Sequence, residues 1–275
     1  MNSRFDAIGR FSSRLCQNIS ENLSERTEDF RRGDGFETAV NSVLSALLGR
    51  QCALAVGLAE SPLTWSGHIA PLVLRSMIDL LITYRWILLD PRQRAQEYIN
   101  YGLGTEKLLT SNYQQKIENG FEGADVRSII ESNLRWIESQ RFHMFVEVNL
   151  GSWAGASVRK MCDEIGDPDL YKFSYTPFSA CVHNMWNHVG KWNARLCTNP
   201  LHKQHMIGTI VDIWPIVDFV FRSFKYLELV MVEFDRFYGH TSQVMTPIEA
   251  FNSAVDELGD VWNGDDPGET PSDLR

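Results

Sequence analysis

The sequence has no CxxC pair, and its five cysteines, at positions 16, 52, 162, 181 and 197, are odd in number. A chain of 275 residues has no need of disulfide staples, so reduced thiols and a cytoplasmic location are expected. An excess of positive charge is also missing. Lys and Arg number 26 against 35 Asp and Glu, a net charge of -9. From Asp256 onward seven acids face only Arg275, so that stretch carries -6 and the preceding body about -3. A nearly neutral body excludes wrapping of duplex DNA through a broad basic face, although it leaves room for a small basic cleft.

No long apolar run is free of charge. Ala70 to Leu89 has the length of a membrane span but contains Arg75, Asp79 and Arg85, each of which would cost on the order of several kcal/mol in lipid. Ile207 to Phe221 is shorter and broken by Asp212, Pro215 and Asp218. Met1 to Asp6 lacks the apolar stretch of a signal peptide. No membrane partner is expected. None of the seven histidines follows a Glu at the Glu-x-x-His spacing of di-iron bundles, and HExxH is absent. His202 and His205 stand close together, but with no acidic or cysteine ligand read beside them; neither metal nor cofactor is expected. GxxxxGK[ST], GxGxxG and GxSxG are missing, which argues against a P-loop NTPase, a dinucleotide-binding enzyme and an α/β-hydrolase.

What is present is helical periodicity. Phe5, Ile8, Phe11, Leu15, Ile19 and Leu23 form one apolar stripe, so residues 1–35 read as an amphipathic helix. A bundle domain is expected over 36–240. Its helices are read at about 36–59, 68–89, 92–119 (with a break near Gly102-Leu103-Gly104), 125–148, 156–165, 176–188 and 202–238, the last kinked at Pro215. The segment 68–89 is apolar around most of its circumference and should lie at the centre, ending at Asp90-Pro91. Residues 241–275 are expected to be an acidic, flexible tail, with Trp262 as its one candidate anchor. The fold class is all-α, a multi-helix bundle.

Two polar stripes interrupt the apolar helices. Arg75, Asp79 and Thr83 recur at i, i+4 and i+8 on the central helix, where burying charge is costly unless each group finds a partner. They form either an ion pair that fixes helix register or a cleft wall in which Arg75 grips an anion and Asp79 orients it. After Pro177, the residues Ser179, His183 and Asn187 form a second row, with Trp186 beside them. That row puts His183 at the border of core and water, where an imidazole titrates near neutral pH. The two stripes are expected to face each other across one cleft.

Several segments together resemble a known pattern. They are Arg50-Gln51-Cys52-Ala53-Leu54-Ala55, Leu72 through Asp79, Tyr84 through Pro91, Arg94 through Tyr98, and Tyr175 through His183. They resemble a bacterial all-helical family of unknown function, with an Arg-x-x-x-acid helix, a hydrophobic-Asp-Pro turn and a Tyr-x-x-x-Ser-x-x-x-His signature. That family is distantly similar to the HEPN class of helical ribonucleases and nucleotide-binding modules met in toxin and phage-defence systems. The resemblance implies a HEPN-like bundle in which His183 is general acid or base, Arg75 stabilises charge on the phosphorane, and Ser179 or Asp79 orients the partners. It implies substrate contacts from Tyr175, Trp186 and Asn187. The chain departs from the HEPN motif of Arg followed by His after four to six residues. Arg195 and His202 have that spacing, but Pro200 lies between them.

Three functions are therefore expected to compete. One is a metal-independent ribonuclease effector acting on RNA through the His/Arg cleft. The second is a non-enzymatic module binding a nucleotide or a partner protein. The third is a structural subunit whose eight Trp cover a homo-oligomer interface.

Overall fold

The computed structural model describes residues 2–32, 38–121, 123–139, 154–210, 215–256 and 258. Helix α1 (Asn2–Arg32) presents Ala7, Phe11, Leu15 and Ile19, all buried, along the stripe set by its three-to-four spacing. Phe11 meets Trp65 edge-on at 5.9 Å and Phe251 at 5.7 Å. Full burial of such a ring stabilises the fold by about 1.5–3 kcal/mol. Helix α2 (Thr38–Ala59) packs on α1, and Ala39–Ala59 is long and apolar enough to cross a membrane by length and composition alone; half of it is buried.

Helix α3 (Ala70–Leu89) is the centre of the bundle, with Leu74, Met77, Ile78, Leu81, Tyr84 and Ile87 fully buried. It packs against α2, α4 (Pro91–Glu118), α6 (Val158–Glu164), α7 (Thr176–Val182) and α9 (Asp218–Tyr238). Its end is where Asp90-Pro91 put it. Asp90 adopts φ -148°, and Pro91 opens α4 at a position whose N–H has no helical partner to lose. Helix α4 runs without a break through Gly102 and Gly104, because single glycines weaken a helix without stopping it. Helix α5 (Ala124–Ser139) packs on α4, and the expected continuation to 148 lies outside the described residues.

Arg85 and Arg94 fasten the outer elements to α3. Arg85 reaches Glu233 of α9 at 2.9 Å and Asp167 at 3.1 Å. Arg94 stacks 3.6 Å over the Trp86 ring and donates to the Trp86 carbonyl at 2.6 Å. Trp86 Nε1 donates to Glu164 at 2.6 Å, so α3, α4 and α6 share one clasp. On the other side, Arg26 of α1 makes a two-pronged contact with Asp235, at 2.8 and 2.6 Å.

Three further expectations are corrected. The helix read over 176–188 stops at Val182: His183 occupies the C-cap and Asn184 takes φ +51°, after which α8 (Trp186–Trp192) starts in a new direction. A left-handed residue cannot continue a right-handed helix, so Ser179, His183 and Asn187 share no helix face. The helix read over 202–238 begins only at Asp218. Before it, β1 (Ala194–Leu196) and β2 (Met206–Gly208) form an antiparallel hairpin, which suits the β-branched Ile207 at its centre. Finally, the expected flexible tail contains helix α10 (Pro247–Val255). Thr246 and Glu249 cap each other's backbone at its start, Pro247 opens it, and Phe251 and Ala254 bury against α1 and α9. Gly239, left-handed at φ +66°, ends α9 and lets the chain turn back to reach that seat. Residues 259–275, Trp262 among them, lie outside the described residues. The architecture is all-α, a multi-helix bundle with one small hairpin.

Candidate functional site

Arg75 projects from the N-terminal half of α3 with its side chain 9% exposed. Its neighbours come from three places. Asp79, one turn on, forms an ion pair with it. Ser179 Oγ, on α7, accepts from Arg75 Nε at 2.9 Å and itself donates to the Tyr175 carbonyl at 2.9 Å. The Tyr175 ring lies under the guanidinium, 3.3 Å from its carbon, at the end of the π-helical turn Leu170–Tyr175 that feeds into α7. A carboxylate, a hydroxyl and a ring thus hold one buried cation. The expected meeting of the α3 stripe with Ser179 is present, and Tyr175 belongs to it.

The other expected members stand elsewhere. His183 is exposed at the C-cap of α7, joined to the helix through its backbone N–H to the Ser179 carbonyl, with no described side-chain contact to Arg75 or Asp79. Trp186 is 69% exposed at the start of α8, and Asn187 is exposed beside it. The tryptophans also divide: Trp65 and Trp86 are buried in the bundle, Trp136 and Trp186 are exposed, and Trp192 closes over Gly67.

Asp79 has a second face. It lines an open pocket of about 540 Å3 between α2, α3, α4 and α6. Ser76, Asp79, Leu80 and Thr83 form the α3 wall, and Leu47 and Arg50 the α2 wall. Tyr98, Tyr101 and Gly102 come from α4, while Ala156, Val158 and Met161 close the far side. Helical spacing explains the α3 contribution, since residues three, four and seven apart share a face. Among the described residues no ion pair or hydrogen bond engages the Arg50 guanidinium, which is exposed at the wall. Burial pushes the Asp79 carboxyl above its ordinary value, and the Arg75 charge offsets this only in part. Burial likewise raises the Tyr98 and Tyr175 phenols.

The sequence reading missed Arg50, Tyr98 and Tyr101 as site residues. A signal for two of them existed: Arg50 opens one of the recurrent segments and Tyr98 closes another, and a third ends at Asp79. Those three segments, far apart in the chain, supply walls of the same pocket.

A second titratable pair was also passed over. His68 and His188 meet edge-on at 6.4 Å, and burial, aided by the neighbouring ring, pushes His188 below its ordinary value.

No curated protein and no solved structure matches the chain. A family profile matches residues 41–195, a span that contains the whole pocket and the Arg75 cluster. The chain therefore belongs to the family of unknown function DUF5677.

Proposed function

We propose that this protein is a helical binding module for a nucleotide-class ligand, a phosphate ester carrying a flat ring, and that the pocket beside Asp79 is where it binds. The carrying observation is the placement of an unpaired cation, a half-buried carboxylate and two tyrosines around one pocket of about 540 Å3. Drug-sized and cofactor-sized ligands occupy pockets of roughly 300–1,000 Å3 lined by apolar and aromatic groups with a few polar ones. Arg50 suits the phosphate as a forked donor. Asp79, Ser76 and Thr83 suit sugar hydroxyls. Tyr98 and Tyr101, with Leu47, Leu80 and Met161, suit the ring.

In this reading Arg75 is not the anion-binding group. Its guanidinium is already held by Asp79, Ser179 and Tyr175, so its task is to fix the carboxylate that faces the ligand. The setting we propose is the one the sequence pattern implies, a HEPN-like helical component of a bacterial toxin or phage-defence system. The ribonuclease version of that setting requires the His183 imidazole at the Arg75 cluster, and the exposed C-cap position favours binding over cleavage.

The test is thermal denaturation of the protein with AMP, ATP and inorganic phosphate, together with an RNA-cleavage assay. A bound nucleotide at a hundred times its Kd should add about 2.7 kcal/mol of stability, and Arg50→Ala should abolish the gain. No stabilisation by either nucleotide, or RNA cleavage that disappears in His183→Ala, would overturn the reading.

A further inference from the structure

The hairpin carries a constellation outside the bundle and just past the family-matched segment. Cys197, His202 and His205 each bring one ligand atom to a common point, all within 4.8 Å of one another. The register of the hairpin causes this. Ala194, Arg195 and Leu196 pair with Gly208, Ile207 and Met206, and the next rung is Cys197 opposite His205, closed by the Cys197 N–H to the His205 carbonyl at 2.8 Å. Directly opposed residues hold their β-carbons about 4.5–5.5 Å apart. The turn between them then folds His202 back. Its N–H reaches the Asn199 carbonyl at 3.0 Å, and Gln204 takes φ +57°, so the chain reverses just before His205.

The one short ligand–ligand distance fits a tetrahedral metal as well as it fits a sulfur hydrogen bond. With metal–sulfur and metal–nitrogen bonds of about 2.3 and 2.05 Å, tetrahedral ligands sit about 3.6 Å apart. Cys197 Sγ and His202 Nδ1 are 3.7 Å apart. The Asn199 N–H points at Cys197 Sγ from 3.5 Å, the kind of outer contact that steadies a thiolate, and the Asn199 amide lies 3.3 Å from the other His202 ring nitrogen. The earlier expectation of no metal overlooked Cys197, which stands five positions before His202.

We infer that Cys197, His202 and His205 bind a divalent zinc-class cation that pins the loop of the hairpin, with solvent as fourth ligand. One thiolate and two imidazoles select a borderline-soft ion over Mg2+ or Ca2+, which take oxygen ligands. On binding, the Cys197 thiol proton passes to solvent as the sulfur–metal bond forms, and each imidazole gives its lone pair without losing a proton. The role is structural. Leu201 is 86% exposed and Met206 36%, so no apolar core supports the hairpin tip, and a two-stranded hairpin alone is marginal in water.

The experiment uses the full chain, reduced, stripped with chelator and titrated with Co2+, then displaced with Zn2+. Binding of one Co2+ is expected, with a thiolate-to-cobalt charge-transfer band in the near ultraviolet and the intense visible bands of a tetrahedral site. Cys197→Ser should remove the charge-transfer band, and His202→Ala and His205→Ala should each weaken Co2+ binding at least ten-fold. Zn2+ should also slow tryptic cleavage after Lys203 at least ten-fold. None of the three ligands belongs to the buried core, so far-UV circular dichroism of all three variants should match the parent. Absence of the band, its persistence in Cys197→Ser, unchanged affinity in the histidine variants, or cleavage after Lys203 indifferent to Zn2+ would overturn the inference.

Discussion

The two ends of α3 handle charge in different ways. Near its C-terminus, Arg85 is shared by Glu233 and Asp167, and its neighbour Trp86 is clasped by Arg94 and Glu164. Around this clasp the charges neutralise each other, and they tie α3 to α4, α6 and α9. Nearer its N-terminus, Arg75 is ion-paired too, but its carboxylate partner faces a pocket that holds another cation, Arg50, with no described partner. Both arrangements stand in one helix and look alike in the sequence, as an Arg among leucines and isoleucines. The difference is whether anything polar is left over once the fold is made. The Arg85 guanidinium is divided between two carboxylates, whereas at the Asp79 end a half-exposed carboxylate and the Arg50 guanidinium, without a partner among the described residues, both line the pocket.

The largest expected effect falls on the structural end. Arg85→Ala leaves Asp167 without its cation and Glu233 with Arg236 alone, and should cost about 1–3 kcal/mol in chemical denaturation. Nucleotide binding at the pocket should survive that change.

Asp79→Asn should do the opposite. Asp79 is half exposed and burial disfavours its ionised form, so at neutral pH the change should shift stability by less than about 1 kcal/mol. The nucleotide-dependent gain of about 2.7 kcal/mol should vanish. The pH dependence has a definite sign. Because its carboxyl is raised on folding, Asp79 favours the folded state below the ordinary carboxylate range, and this contribution is lost as pH rises through the raised value. Asp79→Asn should remove that component from a stability-against-pH profile.

Gly102 gives a smaller test. A β-carbon there would meet nothing within 4 Å. Gly102→Ala should therefore stabilise α4 by about 0.5–1 kcal/mol, since glycine is costly inside a helix. Gly102→Phe should abolish nucleotide binding, because the residue lines the pocket.

The smallest expected effect is at His183. His183→Ala should change stability by less than about 0.5 kcal/mol and leave ligand binding intact, as an exposed cap residue does. His188 provides the contrast within the same region. Its imidazole is lowered, so the stability it contributes is present above the ordinary histidine range and is lost as pH falls through the lowered value. His188→Gln should remove a small acid-side component from the unfolding profile.

Much of the frame was legible in the sequence because it depends on local pattern. The stripe of Phe11, Leu15 and Ile19, the all-round apolar character of α3 and the stop at Asp90-Pro91 are properties of a few adjacent turns. The contact of Arg75 with Ser179 was legible for a related reason, since a buried cation needs partners and polar positions on apolar helices are few. What failed were places where one residue redirects the chain. Asn184 breaks the helix after Val182 and takes His183 out of the row that Ser179 began. The β-branched Ile207 sits in a paired strand where a long apolar run suggested helix. Thr246-Pro247-Ile248-Glu249 is a readable helix start, hidden only by averaging it with the acidic residues that follow. The pocket itself was not legible, because Arg50, Asp79 and Tyr98 meet only once three helices pack.

The central claim is that Asp79 and Arg50 are left over for a ligand while Arg85 is spent on the fold. Isothermal titration of ATP into the parent, Arg50→Ala and Arg85→Ala proteins tests it directly. The account predicts saturable binding to the parent and Arg85→Ala at 25 °C, and none to Arg50→Ala. Binding to all three, or to none, would contradict it.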